Sequence, residues 1–345
     1  MVQEIILLTG ATGNVGAVTL EHLLDAGHTV NIVIRRESVI PFFETKFSPA
    51  VASGKLCFTH IPDMTVPGVF DEAAASVTAI IHVATPLGPT NLLENLIRPT
   101  WTIDANILSA AGKSSTIKRI IVCGTILQAM RAPEDLANTT PTISDKSYNS
   151  VPFEIAQNSW VLAYQYAKTK AERNMWAWME ENRKEIGFDV VMLLVPSVTG
   201  RSPQVGFKPA EASGGIGEVY KRLWKGGDVD EMFPFFLDTD DVARIHVLSL
   251  DRTKVPGNER YLLAAHEIHD LRAVGLKLRA EHPELASRIP ELQERPQKTA
   301  DTFAKLDLSK TDRVFGKDWK SAYESVERTV FDIVKWEEEN GGGSN

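Results

Sequence analysis

Tyr164 and Lys168 stand four positions apart in the run Tyr164-Gln165-Tyr166-Ala167-Lys168, inside a stretch, roughly Ser159 to Asn182, that reads as one long helix. Four residues make about one helical turn, so the phenol and the ammonium share a face. A phenol titrates near 10, too high for easy proton exchange at neutral pH, and a nearby ammonium lowers that value by stabilising the phenolate. A hydroxyl on a neighbouring strand end, Thr125, would hold a substrate oxygen and the charge that develops on it. Together these groups could protonate a carbonyl oxygen while hydride from a nicotinamide cofactor reaches the carbon. Tyr166 is the local competitor and reads as a packing or rim residue.

The cofactor must then be held by the opening of the chain. Val2 to Leu8 reads as a short buried strand, followed by Thr9-Gly10-Ala11-Thr12-Gly13-Asn14-Val15-Gly16 and a helical pattern from Val18 to Leu24. Gly10 permits the tight turn, Gly13 lets the backbone approach a pyrophosphate, and Gly16 allows close packing of helix on strand. The helix start offers free N–H groups and a partial positive charge to the phosphates. Thr9, Gly10, Thr12, Gly13, Asn14, Val15 and Gly16 are therefore expected to line the cofactor.

A second strand, His28 to Ile34, ends at Arg35-Arg36, where dinucleotide folds place an acidic residue on the ribose 2′-hydroxyl. Two guanidinium groups suit a 2′-phosphate instead, which favours NADP(H) over NAD. A third strand, Leu56 to Ile61, leads to Asp63 and Met64, with Asp63 either accepting from an adenine amino group or capping a turn. The fourth, Val77 to Ala84, ends in Ala84-Thr85-Pro86, small enough to let backbone pass under a cofactor, and His82 reads as a packed, hydrogen-bonded core residue. A helix with Pro99 as a kink or late start spans Leu92 to Gly112, and Arg119 to Thr125 is the fifth strand. Continuous apolar strands alternating with helices imply a parallel sheet covered on both faces, with ligands beyond its C-terminal ends. Gly10, Arg35, Asp63, Thr85 and Thr125 all fall at such ends.

The fold class is α/β: a Rossmann-like doubly wound parallel sheet with a smaller C-terminal α/β substrate lobe. Residues 1–195 form the dinucleotide domain, 196–238 and 253–318 the lobe, 240–252 a helix returning to the first domain, 319–340 a closing helix and 341–345 a flexible tail. The stretch 131–158, with its three prolines, reads as a surface excursion. Tyr220, Trp224, Phe233, Phe235 and Phe236 are either pocket lining or lobe core, and His266 and His269 read as a solvated helix face.

Composition narrows the classes. A hydrophobic fraction of 43% supports a large core, and a net charge of -8 without a Lys/Arg run argues against nucleic acid. No apolar run is long enough to span a bilayer, and no leader precedes the cofactor strand, so a cytoplasmic protein is expected. Cys57 and Cys123 read as buried free thiols, and no metal-ligand spacing occurs. The partner is a small carbonyl compound, hydrophobic or aromatic, and the chain is a monomer or homodimer.

The glycine turn, His82-Val83-Ala84-Thr85-Pro86, and Tyr164 to Lys168 followed by Thr169-Lys170-Ala171-Glu172 resemble the extended short-chain dehydrogenase/reductases. The nearest group is that of the dihydroflavonol, cinnamoyl-CoA and yeast-type methylglyoxal reductases. Pro196-Ser197-Val198-Thr199-Gly200, the segment Phe236 to Val247, and Lys310 to Phe315 fit the same pattern. The resemblance implies an NADPH-dependent carbonyl reductase in which Thr125 takes the serine place, Tyr164 is the acid/base and Lys168 binds ribose. It adds Pro196, Ser197 and Val198 to the cofactor-binding residues. Where the family strand ends Thr-Ser-Ser, this chain has Cys123-Gly124-Thr125, and no active-site asparagine is matched. An epimerase or hydroxysteroid dehydrogenase of the same fold, and a non-catalytic dinucleotide sensor, are the competing readings.

Overall fold

The computed structural model describes residues 2–341. The expected tail falls outside the described residues except for Gly341. Seven strands make the central sheet: β1 (Ile5–Thr9), β2 (Thr29–Ile34), β3 (Leu56–His60), β4 (Ala79–His82), β5 (Arg119–Thr125), and, after the short β6 (Thr142–Ile143), β7 (Asp189–Val195) and a later strand, β10. Between these last two lie β8 (Ser197–Thr199) and β9 (Phe236–Asp238), which pair with each other; β10 is Glu259–Leu262, and β11 (Lys305–Leu306) pairs with β6. The sheet order is β10-β7-β5-β4-β1-β2-β3, every pairing parallel. The order reverses between β1 and β4, the place where such sheets take their ligands, and there Thr9 pairs with His82.

Successive strand residues point to opposite faces. Ile6, Leu8, Ile32, Ile81, Ile121 and Leu193 join one apolar cluster, and Leu7, Val33, Ile80, Ile120, Met192 and Leu194 the other. Covering both faces is what makes the strands read as unbroken apolar runs. The helices Asn14–Asp25 and Thr239–Leu248 pack against each other on one side, and Arg98–Lys113 and Trp160–Glu181 on the other. Ser159 caps the last of these by accepting from the Leu162 N–H. Pro99 sits in the first turn of Arg98–Lys113, after a wide turn over Leu93–Ile97, so it is a late start and not a kink.

Several expectations are corrected. Cys57 is exposed because β3 is the sheet edge, where alternate side chains face solvent. Residues 259–262, assigned to the lobe, complete the central sheet beside β7. The stretch 131–158 is not merely superficial: Ile143, Asn149 and Val151 are buried, and β6 ties it to β11. Trp224, Phe235 and Phe236 are core, while Tyr220 and Phe233 stay half-buried. The helix here begins only at Leu271, so His266 and His269 lie on the bent segment before it and not on a helix face. His266 is exposed against Asp312, but His269 is buried on the Phe236 ring with neither nitrogen partnered among the described residues.

That burial has a pH consequence. Desolvation pushes the His269 imidazole down to about 4, and that of buried His246 likewise to about 4. An unfolded imidazole titrates near 6.5, so as pH falls the unfolded chain takes up these protons first. Stability is then lost between about pH 6.5 and 4, on the order of 2–3 kcal/mol per imidazole. Chemical denaturation at pH 7 and pH 4.5 measures this, and His269→Leu is expected to lose less stability over that interval than the unaltered chain.

Candidate active site

The glycine turn ends β1 and starts the helix Asn14–Asp25. Gly10 has φ +81°, and a Cβ there would lie 2.7 Å from the Ala84 nitrogen. A Cβ on Gly16 would lie 2.1 Å from the Gly10 carbonyl oxygen. Gly13 differs, because a Cβ there would meet only that oxygen, at 3.5 Å, so nothing in the protein itself demands glycine. No side chain caps the helix at Gly13, and the Asn14 Oδ1 is buried without a donor among the described residues. An uncapped helix start, an unfilled space at Gly13 and an acceptor without a partner fit a dinucleotide pyrophosphate and its ribose.

Thr9 plays a different part from the one expected. Its side chain is fully buried, and its hydroxyl accepts from the Val83 and Ala84 N–H groups, both at 3.2 Å. With both acceptor sites used, it donates to His82 Nδ1 at 2.7 Å. That fixes the proton of His82 on Nε2, which donates to Asp104 at 3.0 Å. Thr9, His82 and Asp104 therefore brace the cradle from beneath. Val15 packs on the core, and the Thr12 carbonyl accepts from Val205 N–H, which draws the segment after β8 over the turn.

Arg35 and Arg36 are both exposed at the end of β2, and neither has an ion-pair partner among the described residues. Asp63 caps a turn, accepting from the Thr65 N–H and hydroxyl at 2.8 and 2.6 Å, and these bonds hold its pKa below the ordinary value. Of its two expected roles, the structure displays the cap. Met64 is buried, with its carbonyl bonded by Asn106. Ala84, Thr85 and Pro86 are half-buried beyond β4. Pro196 is buried, and Ser197 and Val198 are half-buried under Gly215, whose Cβ would touch both.

The catalytic candidates converge. β5 runs three residues beyond Val122, which pairs with His82 at the end of β4, and ends in Thr125. Lys168 is buried and donates to the Thr85 hydroxyl at 3.3 Å and the Cys123 carbonyl at 3.2 Å, leaving one of its three N–H groups for a bound ribose. The Tyr164 ring is partly exposed, but its phenol end is enclosed beside Cys123 and Thr125. Burial raises its pKa well above 10, and the neighbouring Thr125 hydroxyl opposes the rise. The expected depression by Lys168 is not seen, because burial dominates and Lys168 is not among the groups that shift the phenol. The Cys123 thiol is pushed up to about 11 by burial, so it holds its proton as well. Tyr166 packs between Trp101 and Phe153, as a rim residue does.

Other residues here were not found from the sequence. Asn149 donates to the Leu127 and Met130 carbonyls and to Gln165 Oε1, which fixes the turn after β5. Gln128 Oε1 accepts from the Thr125 N–H. Only Glu172 carried a local signal, one helical turn beyond Lys168.

A strand-turn-helix cradle and a hydroxyl, phenol and ammonium gathered at the topological switch define a dinucleotide-dependent α/β enzyme. Residues 6–264 match the NAD dependent epimerase/dehydratase family, and the chain belongs to that family. It is an NAD(P)-dependent enzyme of the extended short-chain dehydrogenase/reductase type. Tetraketide alpha-pyrone reductase 2 of Arabidopsis thaliana is 31% identical over 257 residues, 73% of this chain and 75% of the relative. Ketoreductase azaE of Aspergillus niger is 27% identical over 344 residues, 96% and 97% of the two chains. Among solved structures, the yeast methylglyoxal/isovaleraldehyde reductase Gre2 complexed with NADPH superposes with a TM-score of 0.83 at 19% identity, covering 97% of this chain and 99% of that one. Among the described residues no helix is long and apolar enough to cross a membrane.

Proposed function

We propose that this chain is an NADPH-dependent carbonyl reductase that converts hydrophobic or aromatic aldehydes and ketones to alcohols. The observation that carries the reading is the Tyr164 phenol, enclosed against the Thr125 hydroxyl, with buried Lys168 at the adjoining strand ends. The ketoreductase and reductase relatives support the same reading.

In this reading NADPH supplies the hydride that adds to the carbonyl carbon. Thr125 holds the carbonyl oxygen by donating a hydrogen bond to it, and Tyr164 delivers the proton. A phenol whose pKa lies above 10 keeps its proton throughout the physiological range, so the acid is always charged for reduction. An alkoxide is a stronger base than a phenolate, so the transfer runs downhill. Lys168 holds the nicotinamide ribose, and Arg35 and Arg36 grip the 2′-phosphate. Trp160 lies parallel to Tyr164 with centroids 5.1 Å apart, and Phe153, packed on Tyr166 of the helix that carries Tyr164, is exposed. An aromatic face with an apolar rim suits a flat or greasy carbonyl compound.

The test is a panel of aliphatic, aromatic and conjugated carbonyls with NADPH and with NADH, followed by identification of the alcohols. The double variant Arg35→Ala/Arg36→Ala is expected to weaken NADPH binding by about 100-fold or more, as two charge-assisted contacts are lost, and to leave NADH binding nearly unchanged. Parallel titrations read the ratio. Equal losses for both cofactors would count against the 2′-phosphate role.

A further inference from the structure

We propose that Gln128 is a positioning residue for this site, standing in for the side chain that residue 124 lacks. The inference rests on the roles proposed above for Thr125 and Tyr164. A Cβ on Gly124 would lie 2.6 Å from Gln128 Oε1, 2.8 Å from Met192 Sδ and 3.0 Å from the Leu193 carbonyl oxygen. The Gln128 carboxamide thus fills the space a residue-124 side chain would enter, and the missing hydroxyl at this strand end and the glutamine four residues later are one feature.

The carboxamide can lie only one way round. Its oxygen accepts from the Thr125 N–H at 2.7 Å, and its Nε2 donates to Glu172 Oε2 at 2.7 Å. Reversal would set donor against donor and oxygen against carboxylate. Glu172 is itself fixed, accepting from Trp176 Nε1 at 3.0 Å and from Arg260 Nε and Nη2 at 2.5 and 3.2 Å. Arg260 is anchored in turn on the Asp145 and Ser147 carbonyls and over the Tyr148 ring. A buried chain therefore runs from β10 through the helix Trp160–Glu181 to the backbone of Thr125. It sets where the Thr125 hydroxyl stands relative to Tyr164. Neither Gln128 nor Glu172 is placed to touch substrate; both act through Thr125.

Two variants test this on the full chain. Gln128→Ala is expected to lower kcat about 10- to 100-fold through misplacement of Thr125, with the NADPH dissociation constant within about twofold of the unaltered value. A purely structural role would lower the melting temperature and leave kcat of the folded enzyme unchanged, and an unchanged kcat overturns the proposal. Gly124→Ser should lower kcat and melting temperature in the unaltered chain and have a smaller effect on both in the Gln128→Ala background, where the nearest of the three contacts is gone while Met192 Sδ and the Leu193 carbonyl oxygen remain. The same loss in both backgrounds overturns the proposal. The melting comparison needs no turnover, so if the unaltered chain reduces no carbonyl, the reductase reading fails while this arm still decides the Gln128 proposal.

Discussion

Tyr164→Phe is expected to cut carbonyl reduction by about 10³-fold while NADPH binds as before, since a positioned general acid contributes about 10²- to 10⁴-fold. The variant removes one oxygen and keeps the ring. That ring stacks on Trp160 and belongs to the apolar cluster holding Leu96, Ile97 and Ala167, so packing survives. Lys168 keeps its bonds to Thr85 and Cys123, because neither passes through the phenol. The loss should therefore fall on kcat, with the cofactor dissociation constant unmoved. Steady-state kinetics beside a fluorescence titration with NADPH separate the two. A Tyr164→Phe enzyme that turns over normally would end the assignment of Tyr164 as the acid.

The second large effect concerns two glycines three residues apart. Gly13→Ala is expected to fold and melt like the unaltered chain but to lose NADPH affinity by about 100-fold or more, because its new methyl group would project where a pyrophosphate passes. Gly16→Ala is expected to lose both cofactor binding and stability. Its methyl group would sit 2.1 Å from the Gly10 carbonyl oxygen and 2.6 Å from the Gly10 carbonyl carbon, both backbone atoms that cannot swing aside. Helix and strand would have to separate. Melting curves and NADPH titrations of the two variants distinguish a glycine the ligand needs from one the fold needs.

The sequence revealed most where the signal was local. The strand-glycine-helix opening, the strand Arg119–Thr125 and the long helix with its Ser159 cap could be read because their periodicity and turn residues lie close together. Tyr164, Lys168 and Thr125 could be named from residue type and strand-end position. What failed depended on distant neighbours. The carboxylate of Glu172 meets Arg260 across 88 residues, and only the fold joins them. The strand Glu259–Leu262, half of it charged, falls within the expected lobe because nothing local shows that it pairs with β7. Cys57 looked buried because an edge strand and a central strand carry similar residues. Thr9 was assigned to the ligand by its place in the motif, yet its hydroxyl is taken up by His82 and two backbone N–H groups. The phenol pKa stands opposite to expectation because burial of the Tyr164 oxygen dominates, and that burial is a product of the fold around it, not of the spacing to Lys168.

The central claim is that these side chains reduce a carbonyl at the expense of NADPH. Its most direct test is the unaltered chain with NADPH and a hydrophobic aromatic ketone, followed by NADPH absorbance and by chromatography of the product. The expected result is consumption of one NADPH per alcohol formed, much slower with NADH. Tight NADPH binding with no alcohol from any member of a broad carbonyl panel would contradict it and leave a dinucleotide-binding protein without this chemistry.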